Sequence, residues 1–197
     1  MYSDIVLPKN NEAEFIEIAA KLGIKKLYFL YDFDDYNEEK IQRKLESIES
    51  KKINIEIGLI VNQKNINKAA KISRFLAAKS SEKDRIFIES KKIKIIYGFE
   101  ESGRRDYLHQ RASGLNHILC ELARKNNVAV GFSYSSLINN KNTAVLLGRM
   151  MQNLSLCRKY KVNIIIASFS SNPFDLRAHH DVSSLFKLLV AEKTNFL

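Results

Sequence analysis

The chain has 197 residues, a length that suits one domain able to bury a sizeable core. Apolar residues make up 45%, too many for a disordered tail, and 32 Lys and Arg against 22 Asp and Glu give a formal charge of +10. Residues 1–60 hold 9 basic and 12 acidic side chains and the remainder 23 and 10, so the positive excess that suggests a polyanionic partner lies in the last two thirds.

In chain order, "SDIVLP" (3–8) reads as a first strand and "EAEFIEIAAKLG" (12–23) as a helix. In that helix Phe15, Ile18, Ala19 and Leu22 recur at helical spacing, and Gly23 is its stop. "KKLYFLYDF" (25–33) is strand-like, "NEEKIQRKLESIES" (37–50) helical, and "INIEIGLIV" (53–61) a third strand. "NINKAAKISRFLAAK" (65–79) reads as a basic helix, and "RIFIES" (85–90) and "KIKIIYGF" (92–99) as strands. A helical reading of "RRDYLHQRASGLNHILCELARKNN" (104–127) follows, then a buried strand "VAVGFSYS" (128–135). The long helix "TAVLLGRMMQNLSLCRKYK" (143–161), the strand "VNIIIASFS" (162–170) and the helix "HDVSSLFKLLV" (180–190) complete the pattern.

Near-continuous apolar strands between amphipathic helices predict a parallel sheet covered by helices. The expected fold class is α/β, a compact or incomplete TIM-like barrel of about seven strands over residues 1–197, in preference to an open doubly wound sheet; the chain is shorter than the ~250 residues typical of an eight-fold barrel. Two prolines and no low-complexity linker point to a single domain. Cys120 and Cys157 form no CxxC, which argues against a disulfide framework or zinc site and for a reducing compartment. The N-terminal stretch shows no signal peptide and no apolar run reaches the roughly 20 residues that span a bilayer, so a cytoplasmic protein with no membrane partner is expected.

A barrel invites a search for an active site. The four histidines, His109, His117, His179 and His180, fall on no predicted strand, and HxH and HExxH are absent. "HHD" (179–181) could ligate a metal, but adjacent histidines at a helix start more often face solvent. His117 and Cys120 are three apart on one predicted helix, yet Cys120 lies among Leu115, Ile118, Leu119 and Leu122 and reads as packing. GxGxxG, GxxxxGK[ST] and GxSxG are also missing.

The basic stretches offer different chemistry. Arg104 and Arg111 are seven apart, so a helix would point them the same way, with Arg105 and His109 in an adjacent stripe. Guanidinium forks suit phosphate, and Tyr107 could stack on a base or pack. The competing reading is an exposed basic helix bridged to Asp106 and Glu101. Arg149 lies on the long predicted helix, and Arg177 just after a strand end, on the rim where barrel loops carry function.

Together these residues resemble a known family. "RRDYLHQRASGLNHILCELARKNNVAVGFSYSSL" is similar to the signature region of the ribonuclease P protein component 3 family, the archaeal relatives of the eukaryotic p30-type subunit. "LLGRMMQNLSLCRKYKVNIIIAS" and "NPFDLRAHHDVSSLFKLL" resemble its penultimate helix and strand and its C-terminal turn and helix. "RAHHD" departs from the family's pattern after the "DLR" triplet, and residues 34–92 match loosely.

The resemblance implies a TIM-barrel-like fold related to the PHP metallo-hydrolase barrel but without its metal ligands. It implies a protein subunit of ribonuclease P, the endoribonuclease that removes the 5′ leader of precursor tRNA. The chemistry would belong to the RNA subunit with its Mg²⁺, so no cofactor and no catalytic residue are expected in this chain. Expected partners are ribonuclease P RNA, ribonuclease P protein component 2 and, indirectly, precursor tRNA. Candidate RNA contacts are Arg104, Arg105, Tyr107, His109, Arg111, Arg149 and Arg177; candidate partner-protein contacts are Phe174, Leu176 and Asp181. The alternatives are a stand-alone metal-dependent phosphoesterase or nuclease on the same barrel, and a scaffold whose basic face docks acidic proteins.

Overall fold

A computed structural model describes residues 2–48, 53–103 and 105–190. Seven parallel strands lie in sequential order: β1 (Ser3–Val6), β2 (Lys26–Asp32), β3 (Asn54–Ile60), β4 (Leu76–Lys79), β5 (Ile95–Tyr97), β6 (Ala129–Ser133) and β7 (Ile164–Ala167). A parallel connection needs a crossover, and helices supply it: α1 (Glu12–Lys21), α2 (Glu38–Glu46), α3 (Ile66–Ala69), α4 (Asp84–Glu89), α5 (His117–Lys125), α6 (Tyr134–Asn139), α7 (Thr143–Lys159) and α8 (His179–Val190).

The sheet curls until its first and last strands meet. Phe169 N–H donates to Ile5 O and Leu7 N–H to Ser170 O, both at 2.8 Å, and Val6 bridges Ser170 in parallel register. Side chains reinforce the seam. The fully buried Asp4 accepts from Ile5 N–H and Ser168 N–H at 2.7 Å and from the Tyr134 hydroxyl at 2.5 Å. The result is a nearly closed seven-stranded barrel.

Alternation along the strands sorts the core into layers. Ile5, Leu30, Ala77, Ile95, Tyr97, Ala129 and Ala167 fill the interior, joined by Phe169. Leu59, Leu76, Ala78, Ile96, Val130 and Phe132 point outward to the helices, and Leu27 and Phe29 to α1. With so few strands the interior is narrow. Tyr97 and Phe169 stack with ring centroids 4.4 Å apart, and Gly131 lies close by, where a β-carbon would come within 3.0 Å of the Tyr97 β-carbon and the Phe169 ring.

Four segments depart from the sequence reading. "NINKAAKISRFLAAK" is one short helix, α3, followed by a turn and the buried strand β4. "RIFIES" is not a strand but α4, set by Asp84, which accepts from Ser80 Oγ at 2.7 Å and Ser81 N–H at 2.8 Å. Residues 105–116 are not helical; only His117–Lys125 of that stretch forms a helix, capped by Asn116 Oδ1, which accepts from Leu119 N–H. The expected strand at 128–135 ends earlier, with α6 starting at Tyr134. Residues 49–50 of the second expected helix lie outside the described residues.

Candidate nucleic-acid interface

The loop from β5 to α5 leaves the C-terminal ends of the strands, the end where barrels carry their variable loops. Its return path across α7 is fixed by hydrogen bonds. Arg149, 7% exposed, is the main anchor. Its Nε and Nη2 each lie 2.8 Å from Asp106 Oδ1, and its Nη1 donates to Ser102 O at 2.7 Å and Glu100 O at 3.2 Å. Asp106 Oδ1 also accepts from Ala112 N–H at 2.8 Å, and Ser102 Oγ donates to Ala112 O at 2.6 Å, closing the loop on itself. One turn further along α7, Gln152 Nε2 donates to Ser113 Oγ at 2.9 Å and Arg111 O at 3.3 Å, and Asn153 Nδ2 donates to Ser113 O at 2.8 Å.

Electrostatics follow from this geometry. The Ala112 N–H, then Arg149 and Arg111, hold the Asp106 carboxyl below its usual range. Arg111 lies across α7 at Gly148, where a β-carbon would overlap its guanidinium. A glycine in mid-helix costs roughly 1 kcal/mol relative to alanine, and here it gives the arginine its passage. Arg111 Nη1 stays 3.5 Å from Asp106 Oδ2 with the side chain 47% exposed, so one carboxylate offsets part of the positive charge.

The pinned loop displays its tip. Tyr107 N–H donates to Gln110 O at 2.8 Å, drawing the two ends of the four-residue tip together in the sense opposite to a β-turn's bond. Tyr107 is 75% and Leu108 92% exposed, and Arg105, His109 and Gln110 are exposed beside them. Arg105, Tyr107, His109 and Arg111 thus share one loop, though not the helical stripe that spacing suggested. Arg104 lies outside the described residues.

Hydrogen bonds continue this rim. Ser136 Oγ on α6 donates to Glu101 Oε1 at 2.6 Å, and Asn139 Nδ2 donates to Asp175 Oδ2 at 2.8 Å in the turn after β7. Arg177 ends that turn with Nη1 donating to Phe174 O and Leu176 O, both at 2.8 Å, while its backbone N–H donates to the Tyr134 hydroxyl at 3.3 Å. A partly exposed Arg177 is therefore fixed beside the barrel seam.

Two expected contacts need correction. Arg149 is buried and its guanidinium is consumed by the loop, so it positions the displayed residues and does not itself face a ligand. Leu176 belongs to the core around Val6 and Phe15 and cannot form a partner surface. Phe174 and Asp181 are exposed. Sequence reasoning missed the anchoring role of Asp106, Gln152 and Asn153. "GRMMQN" held the clue for Gln152 and Asn153, since polar residues on an otherwise core-facing helix need partners.

Other constellations do not converge. His117 is exposed whereas Cys120 is fully buried against Cys157, whose thiol is pushed up by Cys120 and by burial. His179 packs on the Tyr2 ring at 4.8 Å, and His180 lies 3.6 Å from Asp181. Among the described residues, no three His, Cys, Asp or Glu are grouped to hold a metal, and no helix is long and apolar enough to cross a membrane.

Comparison with known proteins assigns relatives to this architecture. The family model described as RNase P subunit p30 matches residues 1–195. "Ribonuclease P protein component 3" of Methanococcus vannielii is 31% identical over 163 residues, covering 79% of this chain and 69% of the relative. The protein of that name in Methanothermobacter thermautotrophicus is 26% identical over 183 residues, covering 85% and 71%. A chain from the solved structure described as "cryo-EM structure of archaeal Ribonuclease P with mature tRNA" superposes with a TM-score of 0.80 at 22% identity, covering 95% of this chain and 82% of that one, a likeness of fold.

Proposed function

This chain belongs to the RNase P subunit p30 family, and on that footing we propose that it is a non-catalytic subunit of ribonuclease P that holds the catalytic RNA during removal of the 5′ leader from precursor tRNA. The observation that carries the reading is the pinned loop after β5, which turns Arg105, Tyr107, His109 and Arg111 outward on a chain of net charge +10. Folded RNA concentrates phosphate charge, and a preorganised guanidinium neutralises it without first losing side-chain or loop freedom. Each neutralised phosphate releases counterions, so the contact weakens with salt and substitutes for part of the Mg²⁺ that the RNA would otherwise need.

In this reading the bond-breaking chemistry and its Mg²⁺ stay with the RNA, and the chain supplies binding and orientation. It works in the cytoplasm beside ribonuclease P protein component 2, with Phe174 and Asp181 as candidates for that contact. The stand-alone phosphoesterase finds no support: the exposed His109 and His117, the ring-packed His179 and the buried Cys120 share no site.

The test is precursor-tRNA cleavage by the cognate RNA with component 2 at limiting Mg²⁺, with and without this chain. Cleavage that appears on addition, with none from the proteins alone, is the expected result. No change, under conditions where a relative of the same family restores activity, would overturn the reading.

A further inference from the structure

We propose that the tip of the loop after β5 is a site for a single unpaired RNA nucleotide, a base contact added to the phosphate contacts of the proposed function, on which it rests. The turn closed by Tyr107 N–H and Gln110 O leaves a cleft of about 460 Å³ between the tip and α7. That volume falls within the roughly 300–1,000 Å³ of small-ligand sites. It is lined by Tyr107, Leu108, His109, Gln110, Arg111 and Gln152, and by Asp106, whose carboxylate is engaged by Arg149 and the Ala112 N–H.

Three features favour a base over a bare phosphate. First, Tyr107 and Leu108 expose apolar surface that a phosphate does not reward, whereas the faces of a base do. Second, the tip cannot fold back to bury them. Arg149, Gln152 and Asn153 hold the loop at Asp106, Arg111 and Ser113, and the turn between those anchors is itself hydrogen-bonded. The exposed apolar tip is thus built in. Third, Arg111 lines the cleft with the aromatic and imidazole rings, and the exposed Arg105 stands two residues before Tyr107 on the same loop, so the loop supplies cations for the nucleotide's phosphates. A duplex does not fit this arrangement, because its bases are stacked on one another and present only groove edges. A nucleotide in a loop, bulge or strand end does.

The Gln152 amide is held by two hydrogen bonds to the loop, so that side of the cleft is fixed before the ligand arrives. Stacking is tolerant of base identity, and the expected preference is for unpaired over paired RNA, with little dependence on sequence.

The experiment compares the full-length protein with its Tyr107→Ala, Tyr107→Phe and Arg105→Ala/Arg111→Ala variants. Binding is measured to an unstructured RNA oligonucleotide and to a blunt duplex of the same sequence. Tyr107→Ala should weaken single-strand binding by about five- to a hundredfold, leave duplex binding within about twofold, and keep the salt dependence, while Tyr107→Phe retains affinity. Because Tyr107 is largely exposed, the variant keeps its fold, checked by an unchanged thermal transition. Equal losses on both RNAs, or no loss on the single strand, would overturn the nucleotide site. So would a Tyr107→Ala variant whose only defect is association with component 2, which would assign the tip to a protein. If the double arginine variant also leaves both affinities unchanged, the RNA face itself fails; if it weakens both while Tyr107→Ala weakens neither, only the nucleotide site does.

Discussion

Two halves of one barrel rim carry opposite chemistry. The loops after β2 and β3 are joined by neutral amides: Asn62 Nδ2 and Asn65 Nδ2 each donate to an Asp34 carboxylate oxygen at 3.1 Å, and Phe33 N–H donates to Ile60 O at 3.0 Å. That half leaves Asp32, Asp35, Glu38 and Glu39 exposed. The loop after β5 is joined to α7 by a charged anchor, the buried Arg149 on Asp106, and leaves Arg105, His109 and Arg111 exposed. Both halves are tied down by hydrogen bonds. What distinguishes the proposed binding face is therefore the charge each anchor leaves over. In the acidic half the residual charge repels a polyanion, and in the basic half the anchor's own arginine is hidden while others are offered.

The largest effect is expected from breaking the charged anchor. Arg149→Met leaves the carbonyls of Glu100 and Ser102 without that donor and Asp106 with only the Ala112 N–H and Arg111, and each buried acceptor left unsatisfied costs about 1–3 kcal/mol. Urea denaturation should show that loss, together with reduced RNA affinity, although the residue does not itself face RNA. Retained affinity at full folding would separate the loop from the anchor and break the comparison.

A smaller, pH-dependent effect sharpens it. Glu100, beneath the same loop, is fully buried, neither carboxyl oxygen has a hydrogen-bond partner among the described residues, and burial pushes it up to about 7. A carboxyl raised in the folded state favours folding when protonated. Its contribution is present below the ordinary range near 4.5 and is lost as pH rises through about 7. Asp4, raised to about 6 by burial despite its three donors, has the same sign; Asp106, lowered, has the opposite one. Glu100→Gln should remove its share, gaining about 3 kcal/mol at neutral pH relative to pH 4, read from the difference between the two stability–pH curves. Parallel curves would mean that Glu100 is not the titrating group.

Much of the barrel was legible in the chain. The strands that became β1, β2, β3, β5, β6 and β7 are apolar runs bounded by turns, and the family blocks fall on α5, β6, α7, β7 and α8. The expected strand number agrees with the structure only because two errors cancel. "FLAA" hides a buried strand, since alanine and leucine also suit a helix, and "RIFIES" alternates like a strand but forms a helix entered through a turn that Asp84 ties to Ser80 Oγ and Ser81 N–H. The site was partly legible. Arg105, Tyr107, His109 and Arg111 share a loop, but helical spacing misjudged how they come together, because the turn at Tyr107–Gln110 and the Asp106 contacts are tertiary choices. Arg149 reads as a surface cation until α7 is seen packing that face inward. Leu176 gave no sign that "NPFDLR" would tuck its leucine beneath α1.

The most direct measurement is the salt dependence of binding to the cognate ribonuclease P RNA for two paired variants. Arg105→Ala/Arg111→Ala should weaken binding and lower the slope of log affinity against log salt by about 1–2. Asp35→Asn/Glu38→Gln, in the acidic half, should leave that slope unchanged. Equal slopes for wild type and the arginine variant, or a change confined to the acidic pair, would contradict a binding face built on the loop after β5.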